Sequence, residues 1–158
     1  MDQFSLAFQS DHFDIIPHIV ALGVAYVLAF PIGWHREKTE RSAGLRTFPL
    51  VAMSACAFIQ ASETLMAGSA EATARIVEGV ITGMGFIGGG AILKVKDSVK
   101  GTATAASLWA TGAIGIATGL GALDVAVITS LVTILTLLAF SRKEGDLGDE
   151  KAGPDAPD

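Results

Sequence analysis

Positive charge is missing where a secretory leader would need it: residues 1 to 14 carry Asp2, Asp11 and Asp14 but no lysine or arginine. The first apolar run is therefore expected to be retained rather than cleaved. Cysteine is nearly absent. Cys56 stands alone, so no disulfide can form within the chain, and its place in the middle of an apolar run reads as a small packing residue. Also lacking are a Ser, His and Asp constellation, a Cys and His arrangement and paired metal-binding histidines, so the sequence is not expected to be an enzyme or to hold a resident cofactor. No continuous basic face is present either. The cationic residues stand at the edges of apolar runs, which argues against nucleic acid as a partner.

What is present is apolar and segmented. Of 158 residues, 51% are hydrophobic and the formal net charge is -5; mean hydropathy is +0.52. Composition alone suits either a soluble domain or a small membrane bundle, and distribution decides between them. Charges cluster between runs close to the roughly 20 apolar residues that cross a bilayer. The expected fold is all-α: a polytopic membrane bundle of five transmembrane helices packed through glycine.

The spans fall at about 15–34, 47–66, 76–93, 103–120 and 125–140, after a short extracytoplasmic segment, 1–14. In the first, Pro31 and Trp34 lie near one end, where an interfacial aromatic fits, and His18 near the other. The loop from His35 to Arg46 reads HREKTERSAGLR and offers Glu37 and Arg41 at i, i+4 spacing. Span two contains Glu63; span three has Arg75 at its mouth and Glu78 just inside. Residues 119 to 124 form a tight connection, with Asp124 placed to cap the fifth and shortest span. The tail 141–158 is acidic and carries too little apolar surface to offset the entropy of ordering, so it is expected to be disordered.

Five spans put the termini on opposite sides. Of the 11 lysines and arginines, Arg75 alone lies on one side and the rest on the other. By the positive-inside rule the N-terminus is outside and the C-terminus cytoplasmic.

Glycine is the most informative residue. Gly79, Gly83, Gly85, Gly88, Gly89 and Gly90 punctuate span three, and Gly112, Gly115 and Gly119 span four. In water each would cost a helix roughly 1 kcal/mol relative to alanine. In lipid such residues let helix backbones approach, and the pairs 79/83, 85/89 and 115/119 fit the small-xxx-small pattern. Gly83-Met-Gly85-Phe-Ile-Gly88 also matches the dinucleotide fingerprint letter for letter. That reading fails, because no strand precedes it, no acid follows about 20 residues on, and it lies inside a span. Gly88 to Gly90 can instead close-pack or break the helix, and breaks of that kind mark ion sites in transporters.

Glu63 and Glu78 are the ionisable residues inside spans. Glu63 lies about 24 Å from the cytoplasmic edge and Glu78 about 3 Å from the outer edge at 1.5 Å per residue, so both belong near the outer face. Arg75 shares a helix face with Glu78. The three residues form a candidate polar site for a proton or a hard cation such as Mg2+; a purely structural pairing with Arg75 explains them equally.

Arg36-Glu37, Gly44-Leu-Arg46-Thr47, Arg75-Ile76, the glycine run from Gly83 to Gly90 and the stretch Val99-Lys-Gly101-Thr-Ala-Thr104-Ala-Ala-Ser-Leu108-Trp109 together resemble the MgtC/SapB family. The resemblance covers roughly residues 17 to 140. It implies a bacterial inner-membrane protein whose best-known relatives act in low-magnesium adaptation and in survival inside host cells, partly by restraining the F-type ATP synthase. Arg36, Glu37 and Arg46 are the family-motif charges. Two departures stand out: Ile76-Val-Glu78-Gly79 replaces the usual Ile-Ala-Ala-Gln, and the acidic tail stands where many relatives carry a soluble domain. Two functions follow: a regulator that binds another membrane protein through its glycine faces, as a homo-oligomer, or an Mg2+ or proton carrier using Glu63 and Glu78.

Overall fold

A computed structural model describes residues 15–39, 43–95 and 98–146. The elements in order are α1 (Ile15–Thr39), α2 (Thr47–Ala61), the single turn α3 (Glu63–Met66), α4 (Ala70–Gly90), a β1–β2 hairpin (Leu93–Val95 and Ser98–Lys100), α5 (Thr102–Gly119) and α6 (Leu123–Asp146). All five apolar runs fall largely in helix. By length and composition two helices, α1 and the Leu123–Phe140 part of α6, are long and apolar enough to cross a membrane. The glycines and threonines that suit α4 and α5 for packing score near neutral on a hydropathy scale.

Residue size runs opposite to a soluble core. Inside are Ala25, Ala29, Ala52, Ala55, Cys56, Thr104, Ser107 and Thr111, with only a few larger side chains such as Phe48, Ile32 and Ile59. Outside are large aliphatics; Val27 is 66% exposed and Leu135 62%. Small-inside and large-outside is the arrangement of a bundle that needs close backbones within and lipid contact without. In α1 the buried positions Ala25, Ala29, Ile32 and Arg36 form one helical stripe, and in α2 Phe48, Ala52, Ala55, Cys56 and Ile59 form another. Tyr26, Phe30 and Trp34 ascend the exposed side of α1 as ring neighbours, and Lys38 places its ammonium 5.0 Å from the Trp34 ring centroid.

The hub is α5, which touches each of the other four long helices. Its polar side chains satisfy themselves within the helix: the Ser107, Thr111 and Thr118 hydroxyls donate to carbonyls four residues back, at 2.6, 2.8 and 2.8 Å. Its glycines are the contact points. A Cβ on Gly115 would collide with the Ala52 carbonyl oxygen of α2, and one on Gly119 would stand 2.7 Å from Ile59 Cβ and 3.0 Å from the Cys56 carbonyl oxygen. On the far side, Met84 of α4 fills the space over Gly112, its Cε 2.6 Å from where a Cβ would be. A hydrogen bond from Ser130 Oγ to the Leu28 carbonyl, 2.7 Å, ties α6 to α1.

Several boundaries differ from the sequence reading, each for a local reason. Span two is not one helix to Met66: α2 ends at Ala61, where Ser62 Oγ donates to the Phe58 carbonyl and Ser62 N–H closes a tighter turn onto Ile59. α4 starts earlier than expected, at Ala70, because Ser69 caps it by accepting from Ala72 N–H at 3.1 Å. The chain stays helical through Gly90, so the triple glycine ends a helix instead of breaking one. Leu93–Val95 and Ser98–Lys100 pair as antiparallel strands, with Leu93 opposite Lys100. Asp124 does not cap α6; it lies inside the first turn, where its charge suits the positive end of the dipole. Helix α6 continues to Asp146, so residues 141–146 of the tail, expected to be disordered, are helical. The rest of that tail, segment 1–14 and the Glu37 partner Arg41 lie outside the described residues.

Gly115→Ala is expected to destabilise the fold by about 1–3 kcal/mol, because backbone must move to admit the methyl. Gly79→Ala, whose added Cβ meets nothing within 4 Å, is expected to equal or exceed the parent, since alanine is a better helix former by roughly 1 kcal/mol. Thermal unfolding in detergent reads both; identical melting of the two variants would contradict the α2–α5 contact.

Candidate functional site

The antiparallel course of the chain gathers the C-terminus of α1, the N-terminus of α2, the C-terminus of α4 and the N-terminus of α5 at one end, with Arg36, Lys38, Arg46, Lys94 and Lys100. We call this the basic end. Glu63, Glu71, Arg75, Glu78 and Asp124 lie toward the opposite end.

At the basic end the family-motif residues interlock. Arg36 is only 4% exposed, on the inner stripe of α1, and its Nη2 donates to Thr104 Oγ1 of α5. Such a guanidinium needs acceptors on every side, because an unsatisfied buried charge is expensive. His35 Nε2 is buried nearby with no hydrogen-bond partner among the described residues. One residue on, Glu37 turns outward and its Oε2 accepts from the Leu45 backbone N–H at 2.9 Å, fixing the loop that leads into α2. Gly44 is required there, since a Cβ would overlap the Glu37 carboxylate. The Gly44 carbonyl in turn accepts from Thr47 and Phe48 N–H at 3.0 and 3.2 Å, which satisfies the first amides of α2 in place of a side-chain cap. Gly101, at φ 85°, is a second obligatory glycine: it is left-handed, and a Cβ would meet the Ala91 carbonyl oxygen at the end of α4. Arg46 is the exception among the three charges. It sits exposed at the N-terminal boundary of α2 and has no ion pair or hydrogen bond from its side chain among the described residues.

The other candidate site is looser. Glu63 lies in the one-turn helix α3 rather than within a span, and both it and Glu78 are exposed. Arg75 does not join them: its Nη2 pairs with Glu71 Oε1 at 2.8 Å, with both side chains 77% exposed. Among the described residues no ion pair links Arg75 to Glu63 or Glu78, and no three His, Cys, Asp or Glu side chains gather as a metal set. Glu71 was legible, since an acid four residues before an arginine is the favourable helical order. Thr104 was not, because 68 positions separate it from Arg36.

The glycines divide by surroundings. Gly112, Gly115 and Gly119 are in close contact, and Gly88 meets Ala105 at 3.5 Å. Around Gly79, Gly83, Gly85, Gly89 and Gly90 a Cβ would find nothing within 4 Å, so within one chain they do not supply the packing expected of them.

Thr104→Val is expected to lower stability by about 2 kcal/mol, since a charged donor loses an acceptor in a buried place, and Thr104→Ser to restore most of it. Melting of the two variants beside the parent checks this; a valine variant as stable as the serine one would show that Arg36 does not depend on the hydroxyl.

The model of the MgtC family matches residues 22–145. Protein SrpB of Synechococcus elongatus is 39% identical over 131 residues, covering 75% of this chain and 72% of SrpB. Protein MgtC of Salmonella typhimurium is 37% identical over 120 residues, 76% of this chain and 51% of its own length. The uncharacterized protein slr0014 of Synechocystis is 37% identical over 122 residues, 77% of this chain and 51% of its own. The chain thus spans about half the length of the last two relatives. No solved structure matches. Arg36, Glu37, Gly44 and Thr104, which two helices and a loop bring to one end, all lie within the matched region, and this membrane protein belongs to the MgtC family.

Proposed function

We propose that the chain is a non-enzymatic regulator of the bacterial inner membrane that crosses five times, N-terminus out and C-terminus in, and acts by holding another membrane protein against α4. The observation that carries this reading is the open surface of α4. Only Met84 and Gly88 of that helix are buried. Gly85 and Gly89, four residues apart and therefore on one face, have nothing within 4 Å of an added Cβ. A small-xxx-small surface without a neighbour in its own chain suits a helix from another. A second copy is one such neighbour, which makes the homo-oligomer part of the same proposal. Low-magnesium adaptation and the F-type ATP synthase as the restrained partner enter from the family resemblance. The ion-carrier alternative gains nothing from the exposed Glu63 and Glu78 or from Arg75, which Glu71 engages.

A photoreactive residue placed at Gly89 in the full chain, in its native membrane, is expected to give cross-linked protein adducts, and one at the lipid-facing Leu138 none. Gly85→Leu should reduce the Gly89 adducts severalfold while melting like the parent, because a Cβ at that position meets nothing within 4 Å. Equal adducts at Gly89 and Leu138 would count against the docking face. For topology, cysteine reporters at Ser5 and Ser141 in a Cys56→Ser background are expected on opposite sides of the membrane; both on one side would exclude five spans.

A further inference from the structure

The two sides of α4 are not alike. Gly85 and Gly89 look away from the bundle, whereas Gly79 and Gly83 floor a groove of about 920 Å³ between α2 and α4. Its walls include Leu50, Phe58, Phe86 and Ile87, and Phe86 is 86% exposed. At the basic end Arg46 and Thr47 stand at the mouth; at the other end the groove closes with Ala61, Ser62 and Ile76, none of them charged. From Arg46 to Ser62 the wall rises about 24 Å at 1.5 Å per residue, longer than the roughly 15 Å of one leaflet, half of a 30 Å hydrocarbon core.

We infer that this groove binds an anionic phospholipid of the basic-end leaflet, with its phosphate on Arg46 and an acyl chain lying over Gly83 and Gly79. One end charged and the remainder apolar is the polarity of an amphiphile. Among the described residues Arg46 is the only charged side chain lining the groove and no carboxylate pairs with it, so its guanidinium is available for the bidentate geometry that a phosphate offers. The nearby amides do not compete: those of Thr47 and Phe48 are held by the Gly44 carbonyl, and Pro49 has none. Aromatic and branched walls over a glycine floor make an irregular channel. A flexible chain fills such a shape, whereas a second helix would have to seat against Phe58 and Phe86 projecting from the rims.

The inference rests on α2 and α4 spanning the bilayer, and it concerns a different side of α4 from the partner face. The test uses the full chain, purified in mild detergent and reconstituted in nanodiscs of phosphatidylglycerol or phosphatidylcholine. Native mass spectrometry after release is expected to find one phosphatidylglycerol retained per chain, with about a tenfold preference over phosphatidylcholine, whose phosphate is the same but whose choline ammonium stands against the Arg46 guanidinium. Added phosphatidylglycerol should raise the melting temperature and inorganic phosphate should not. Arg46→Gln is expected to abolish the preference without unfolding the exposed helix start, Arg46→Lys to keep part of it, and Gly83→Leu to lower retention of both lipids. Equal retention of the two lipids by the parent, an unchanged preference in Arg46→Gln, a matching stabilisation by phosphate alone, or a lipid-free dimer lost in Gly83→Leu would each overturn the assignment. The partner face is read separately by the Gly89 adducts, so either result stands without the other.

Discussion

The structure depends on one close approach, α5 lying directly on the backbone of α2 at Gly115 and Gly119. Lipid provides no hydrophobic drive to bring helices together, so contact area and hydrogen bonding must do it. A side chain at Gly115 would separate the pair and every contact along their length. Because α5 also touches α1, α4 and α6, the position of the whole bundle follows from that crossing. The self-satisfied hydroxyls of Ser107, Thr111 and Thr118 serve the same end, as they let small polar residues stand in for glycine without leaving a donor unmet.

Polar order at the basic end complements this apolar lock. Arg36 joins α1 to α5 through Thr104, while its neighbour Glu37 holds the loop into α2 through Leu45. Two adjacent charges, one buried and one exposed, therefore fix three elements. Arg46 has no such structural duty, which is why the lipid assignment falls on it.

Much of this was legible in the sequence, for identifiable reasons. The apolar runs are long and the charges between them dense, so the number and order of the long helices could be read from spacing, though not the one-turn α3 or the strand pair. The edges could not, because they depend on hydrogen bonds such as Ser62 to Phe58 and Ser69 to Ala72 that a hydropathy pattern does not contain. Glycine density announced close packing but not its location: Gly115 and Gly79 look alike in sequence, and only the three-dimensional neighbours separate the filled contact from the open one. The motif charges Arg36 and Glu37 were identifiable by resemblance, yet the Thr104 that meets Arg36 lay too far along the chain to be paired with it. Glu63, Arg75 and Glu78 were grouped by estimated depth. Glu71, one turn before Arg75, holds the guanidinium instead.

The rank of α5 in the chain, fourth of the five long helices, has a consequence for how the bundle is made. Helices α1 and α2 can meet as soon as both are synthesised, but α4 has little contact with either until α5 arrives. Between those moments the nascent chain holds a glycine-rich helix with almost nothing of its own to rest on and a cationic Arg36 still awaiting Thr104. Insertion of α5 resolves both at once. The centre of the bundle therefore closes late, with α6 still to be added against α5 and α1, and the interval before α5 arrives is when α4 is most open to capture by another helix in the membrane.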